Sequence, residues 1–257
     1  MTPKKSLGQH WLHDQASLEA VCKAGLVHEH DTVLEIGPGL GTLTKLLVQK
    51  AGRVVAVEYD QALAADLPGR VKTPSLEVVN QDILKFDLTK LPKDYKVVAN
   101  IPYYLTSNLL RVLSESANPP KVIALLVQKE VAQRVAASPG DMSILSVTTQ
   151  MYYEPHLEQV VPARLFTPPP KVDSQIIQLL RRPTPVFDGQ DSRQVFRVVK
   201  AGFSNRRKTL LNSLSAGLGQ PKDQIETVLK LSKIDPKARP QELSLDQWLN
   251  LVKILSQ

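Results

Sequence analysis

Short β-branched and apolar runs alternate with helical patterns over the first two-thirds of this 257-residue chain. The runs Thr32–Ile36, Arg53–Glu58, Leu76–Asn80, Lys96–Ala99 and Val122–Val127 have the length and composition of buried strands. Helical spacing fills the gaps at Leu43–Lys50, Gln61–Leu67 and Ser107–Ser116, and follows the fifth run at Lys129–Ala137. That alternation predicts a doubly wound, mainly parallel sheet with helices on both faces. Two further runs, Ser143–Tyr153 and Ser174–Leu180, are expected to form an antiparallel hairpin at the sheet edge. A proline-rich loop, 161–170, separates them.

The pattern changes at Pro183, where Pro185 and Asp188-Gly189 read as a linker. Only helical patterns follow, at Arg193–Phe203, Lys208–Ala216, Lys222–Leu231 and Leu245–Leu255. The expected division is an α/β domain over 1–183 and a small all-helical domain over 184–257. Charge follows the same division. The whole chain carries +7, but residues through Pro183 contribute +2 and those from Thr184 onward +5. A basic helical tail points to a polyanion, with nucleic acid ahead of a membrane.

No apolar run approaches the roughly 20 residues that span a bilayer, and the basic start Met1–Lys5 leads into no secretory apolar stretch. A single cysteine, Cys22, excludes an internal disulfide and fits a reducing, cytoplasmic setting. Its place in a Leu18–Val21–Cys22 helical pattern predicts burial. His13, His28, His30 and His156 fall in no metal-ligand spacing, so no metal site is expected.

Candidate chemistry clusters at the carboxyl ends of the predicted strands. The first strand runs into Gly37-Pro38-Gly39-Leu40-Gly41-Thr42, a turn that brings backbone close to a ligand and opens a helix. A dinucleotide fingerprint would need glycine where Thr42 stands, which argues against a nicotinamide dehydrogenase. Glu58 closes the second strand, where a carboxylate can accept both hydroxyls of an adenosine ribose. Asp82 closes the third and can accept from an adenine amino group. Either acid alone also reads as a solvated side chain or a helix cap.

Asn100-Ile101-Pro102-Tyr103 ends the fourth strand. The Asn100 amide oxygen and the Ile101 carbonyl can each accept from an –NH2 group. Pro102 restricts that backbone, and the Tyr103 ring offers a face for a nucleobase. The same four residues also suit an ordinary turn.

With these motifs in order, the chain resembles the KsgA family of ribosomal RNA adenine N6,N6-dimethyltransferases. The G-x-G-x-G turn is similar to the first motif of S-adenosylmethionine-dependent methyltransferases. The resemblance runs from Ser6-Leu7-Gly8-Gln9 through Gln81-Asp82, Asn100-Ile101-Pro102-Tyr103 and Gln128–Ala132. It continues in the Phe166–Ser174 loop and in Phe203 with Arg206-Arg207-Lys208-Thr209-Leu210. It implies a Rossmann-like S-adenosylmethionine-dependent methyltransferase sheet with a small all-helical C-terminal domain. It also implies cofactor contacts at His10, Leu12, Gly37, Gly39, Gly41, Glu58, Asp82 and Asn100. His10-Trp11 stands where Asn-Phe is common in the family.

The resemblance further implies dimethylation of two adjacent adenosines in the 3′-terminal hairpin of small-subunit (16S) rRNA, and a role in ribosome assembly. Expected partners are that rRNA and the 30S subunit, with no membrane, and the chain is expected to act as a monomer. A reacting base must leave its stack; Tyr103 would hold one face and Phe166 the other, unless Phe166 merely anchors its loop. Arg206, Arg207 and Lys208 would contact RNA phosphates, unless they form only a solvated helix start after a Ser204-Asn205 cap. The alternatives are a large-subunit rRNA adenine methyltransferase and a non-catalytic RNA-binding or assembly factor on the same fold.

Overall fold

The computed structural model describes residues 8–205 and 207–256. Arg206 and the N-terminal Lys4, Lys5, Ser6 and Leu7 lie outside the described residues. Chain contacts cluster into two compact units. The first holds the chain up to Ala132 together with Glu154–Arg181; the second holds Gln133–Tyr153 together with the chain from Arg182 onward. The sequence-based division at 183/184 falls near the crossing at Arg181, but a single cut does not express the assignment of 133–153 to the helical unit.

In the first unit the elements follow as β1 (Trp11–Leu12), α1 (Gln15–Ala24), β2 (Thr32–Ile36), α2 (Thr42–Lys50), β3 (Arg53–Glu58), α3 (Gln61–Arg70) and β4 (Leu76–Asn80). Then come β5 (Lys96–Asn100), α4 (Thr106–Glu115), β6 (Val122–Gln128) and α5 (Lys129–Val135), which runs across the boundary. After α6 (Ile144–Gln150) of the second unit, β7 (Tyr153–Val161), β8 (Phe166–Thr167) and β9 (Ser174–Arg181) complete the sheet region.

Seven strands pair in the order β4-β3-β2-β5-β6-β9-β7, and β1 pairs with β8 in a separate two-stranded ribbon. Pairs from β4 through β6 are parallel, whereas β9 runs antiparallel to β6. Strands β5 and β6 are buried at every position but the last, as expected of strands covered on both faces. Helix α1 starts at Asp14, whose carboxylate accepts the Ser17 N–H at 2.9 Å. It buries Leu18, Val21 and Cys22 in one cluster with Val33, Val98 and Ala124 of the sheet. Burial pushes the Cys22 thiol up to about 12, so this cysteine is a packed apolar group.

One expected strand is wrong. Ser143–Tyr153 is mostly the helix α6, and the edge strand β7 starts only at Tyr153. The β-branched Val147-Thr148-Thr149 has strand composition, but a reciprocal Ser143–Ser146 capping box starts a helix instead. Met142, Val147 and Met151 are then buried in the core of the helical unit. Tertiary packing overrides local propensity here. The final pair of strands does lie at one side of the sheet, with β9 inside and β7 at the edge.

The helical unit adds α7 (Ser192–Gly202), α8 (Leu210–Leu218), α9 (Lys222–Leu231) and α10 (Leu245–Leu255). Phe203 and Trp248 stack at its centre, ring centroids 5.5 Å apart. The cap of α8 is Thr209 rather than Ser204-Asn205, which fall in a short 3-10 turn.

Gly41 shows how the sheet and the first crossover helix are locked. Its φ is +79°, and an added Cβ would lie 2.7 Å from Leu67 Cδ1 of α3. Substitution Gly41→Ala is expected to cost about 1–3 kcal/mol through strain and overpacking, read as a lower denaturant midpoint at unchanged slope.

Candidate active site

A cavity of about 320 Å³ opens in the first unit and is lined by the ends of β2, β3 and β5 and by the segment Gly8–Leu12. Parallel α/β sheets bind ligands where neighbouring strands send their chains to opposite sides. Strand β2 has β3 on one side and β5 on the other, which makes that point here.

At the end of β2, Gly37 adopts φ +67° and donates its N–H to Val57 O at 2.9 Å. No atom lies within 4 Å of where its Cβ would be, so bare backbone faces open space. Gly39 adopts φ +57°, and the Trp11 indole nitrogen sits 3.4 Å from its hypothetical Cβ. Gly41, expected at the cofactor, is not part of the cavity wall; it caps α2 and packs on Leu67.

Glu58 is 6% exposed. Its Oε2 accepts the Gly39 N–H at 3.1 Å and its Oε1 accepts the Asp60 N–H at 2.9 Å. Burial raises its pKa, and these two donors pull it back. Each oxygen keeps acceptor capacity, the arrangement a vicinal diol needs. Asp82 accepts the Leu84 N–H at 3.0 Å through Oδ1 while lining the cavity, so it is a cap and a wall residue together.

The half-buried Asn100 donates Nδ2–H to the backbone oxygen of His10 at 3.3 Å. That bond orients the amide and leaves Oδ1, an acceptor, for a ligand. Ile101 is 2% exposed, while Pro102 and Tyr103 are half-buried on the same wall. The Tyr103 hydroxyl lies 2.8 Å from Ser174 Oγ, and burial raises its pKa. Its ring stacks with His10, centroids 6.0 Å apart. Leu12 is buried and also borders the cavity.

Phe166 does not join this group. Its backbone pairs with Leu12 in the β1–β8 ribbon, and its ring is 3% exposed within the core of the sheet unit. This burial matches the loop-anchor reading of Phe166, whose ring packs inward from the ribbon. Arg207 and Lys208 are exposed just before α8 in the helical unit, and Arg206 lies outside the described residues. Among those described, no group of three His, Cys, Asp or Glu is placed to hold a metal ion.

Two wall residues escaped the sequence reading. Glu35 is 1% exposed, lines the cavity, and burial pushes its carboxyl up to about 8. A carboxylate inside the apolar run Leu34-Glu35-Ile36 was the available signal. Trp11 lines the cavity with its indole nitrogen buried and unpaired. Bare glycine backbone, a doubly anchored acid and unpaired buried polar atoms fit a nucleoside with a polar tail.

Fold and site define a Rossmann-like S-adenosylmethionine-dependent methyltransferase with a helical C-terminal region. The chain belongs to the ribosomal RNA adenine dimethylase family, whose model matches residues 1–257. It is 39% identical over 258 residues to ribosomal RNA small subunit methyltransferase A of Dehalococcoides mccartyi, covering 99% of this chain and 89% of the relative. The namesake from Bacillus mycoides is 40% identical, covering 98% and 91%. Among solved structures, the 23S rRNA methyltransferase ErmE superposes with TM-score 0.76 at 29% identity, covering 96% of this chain and 100% of the other. A dimethyladenosine transferase from Plasmodium falciparum gives 0.80 at 26%, covering 94% and 96%.

Glu35 gives the ligand-free protein a pH signature. The folded state keeps its proton up to about pH 8, whereas the unfolded chain releases it near 4.5. The native state therefore binds more protons between those values, and stability falls as pH rises through them. Glu35→Gln is expected to flatten this slope and raise the melting temperature at pH 8, as scanning calorimetry across that range would show.

Proposed function

We propose that the protein dimethylates N6 of two adjacent adenosines in the 3′-terminal hairpin of small-subunit (16S) rRNA and acts in small-subunit biogenesis. The carrying observation is the oriented Asn100 amide, its acceptor oxygen free for an amine at the mouth of a nucleoside-sized cavity. S-adenosylmethionine, when bound, supplies an electrophilic sulfonium methyl group. Glu58 holds the ribose hydroxyls and Asp82 the adenine amino group; Gly37, Gly39, His10 and Leu12 complete the cofactor wall.

The protein's own residues prepare the amine. Adenine N6 is a poor nucleophile because its lone pair is delocalised into the ring. Asn100 Oδ1 and Ile101 O accept its two hydrogens and draw the nitrogen toward tetrahedral geometry, which localises the lone pair. Pro102 keeps the Ile101 carbonyl in place, and Tyr103 stacks on the extruded base. Orientation supplies the acceleration, so no strong base is required.

Arg206, Arg207 and Lys208 contact RNA phosphates and set affinity rather than sequence preference. The partner is small-subunit rRNA in the 30S subunit, and the protein works as a cytoplasmic monomer. Among the described residues no helix is long and apolar enough to cross a membrane. Action on large-subunit rRNA is the weaker reading, because the relatives named for the small subunit are more identical to this chain than ErmE is.

Purified protein and unmethylated small subunits should yield N6,N6-dimethyladenosine on nucleoside mass analysis. Asn100→Ala is expected to lower methyl incorporation by at least about 100-fold with RNA affinity retained; undiminished turnover refutes the amine-holding role. Neutralising Arg207 and Lys208 together should reduce the slope of log affinity against log salt by about two. A slope that does not change assigns them to solvent.

A further inference from the structure

We infer that His10 is a positioning residue for the methyl acceptor, acting through Asn100 and Tyr103. The inference rests on the activity proposed above and goes beyond a cofactor contact. Two hydrogen bonds and one ring contact converge on this one residue. Its ring Nδ1 lies 2.7 Å from the backbone oxygen of Pro168. A carbonyl oxygen only accepts, so Nδ1 carries the hydrogen and donates it. Its own backbone oxygen accepts the Asn100 Nδ2–H at 3.3 Å. Its ring faces that of Tyr103 at 6.0 Å with an interplanar angle of 20°.

The ring of contacts closes through neighbouring residues. Trp11 pairs with Thr167 and Leu12 with Phe166, so the segment bearing His10 runs beside the segment bearing Pro168. The Tyr103 hydroxyl is tied to Ser174 at the start of β9. The His10 carbonyl thus has its position set from two sides by its own side chain, and it in turn fixes which end of the Asn100 amide faces outward. Freed from that carbonyl, the amide can turn its –NH2 toward the substrate and present a donor to a donor.

Consequences differ between the two transfers. Unmodified N6 offers two hydrogens to the Asn100 and Ile101 oxygens. Monomethylated N6 retains one, so its orientation depends on fewer bonds and suffers more from a displaced acceptor. Loosening His10 should therefore impair the second transfer more than the first.

The test measures the ratio of monomethyl to dimethyl product by mass analysis, the kcat and KM for small subunits, and the dissociation constant for S-adenosylhomocysteine. His10→Ala is expected to raise the product ratio about tenfold at saturating S-adenosylmethionine, over and above the loss of S-adenosylhomocysteine affinity that its place in the cofactor wall brings. His10→Asn keeps an N–H donor in place of Nδ1 without the ring, and His10→Phe keeps the ring without the donor. Each should give a ratio between wild type and His10→Ala. A wild-type ratio in His10→Ala at saturating S-adenosylmethionine overturns the inference, because it leaves His10 as a cofactor contact alone. If His10→Ala does not fold, wild-type ratios in both remaining variants overturn it instead. A wild-type protein that forms no methylated adenosine refutes the proposed activity itself, a result separable from any of these.

Discussion

Everything in the candidate site hangs on the place where β2 and β5 lie side by side. Chain leaving β2 moves to β3 on one flank, and chain leaving β5 moves to β6 on the other. Helices cannot close over that gap, so it opens as a crevice outside the strand ends. The strands beneath are dry, and their ends are consequently held in place. The glycine turn, Glu58, Asp82 and Asn100 occupy the last or following positions of four successive strands, so the sheet itself sets their spacing.

The same location governs their electrostatics. A carboxyl at the end of a buried strand loses solvation, and the two acids here show how differently that can be answered. Glu58 receives two backbone N–H donors, which offset part of the cost. Glu35 has one oxygen with no donor at all, and it keeps its proton near neutrality. A cavity meant for a ligand carrying its own positive charge thus has one acid prepared by donors and another whose proton is favoured by burial.

Much of this was legible along the chain because parallel strands read as unbroken apolar runs with their functional residues immediately after. Thr32–Ile36, Arg53–Glu58 and Leu76–Asn80 occur as expected, residue for residue. The misread strand at 143–153 had β-branched composition, and only a capping pair and a distant helical core reveal it as a helix. At the site, residues one strand end apart are visible together, whereas the burial of Phe166 depends on its pairing with Leu12, far away in the chain. Glu35 is harder to read, because a strand interior normally excludes carboxylates and the local run does not show that this one borders a cavity. The His10 contacts were hidden for another reason: they join segments 90 and 158 positions apart, and no local pattern encodes such a meeting.

The capped helix at Ser143–Gln150 has a consequence for how the helical unit can be handled. Because that unit takes in residues 133–153 as well as those from Arg182 onward, it is not a detachable tail. A chain terminated after Pro183 keeps α6 but loses the helices among which Met142, Val147 and Met151 are buried. Those side chains would then face water as a sticky apolar stripe. A linear division of the chain therefore parts α6 from the core that buries it.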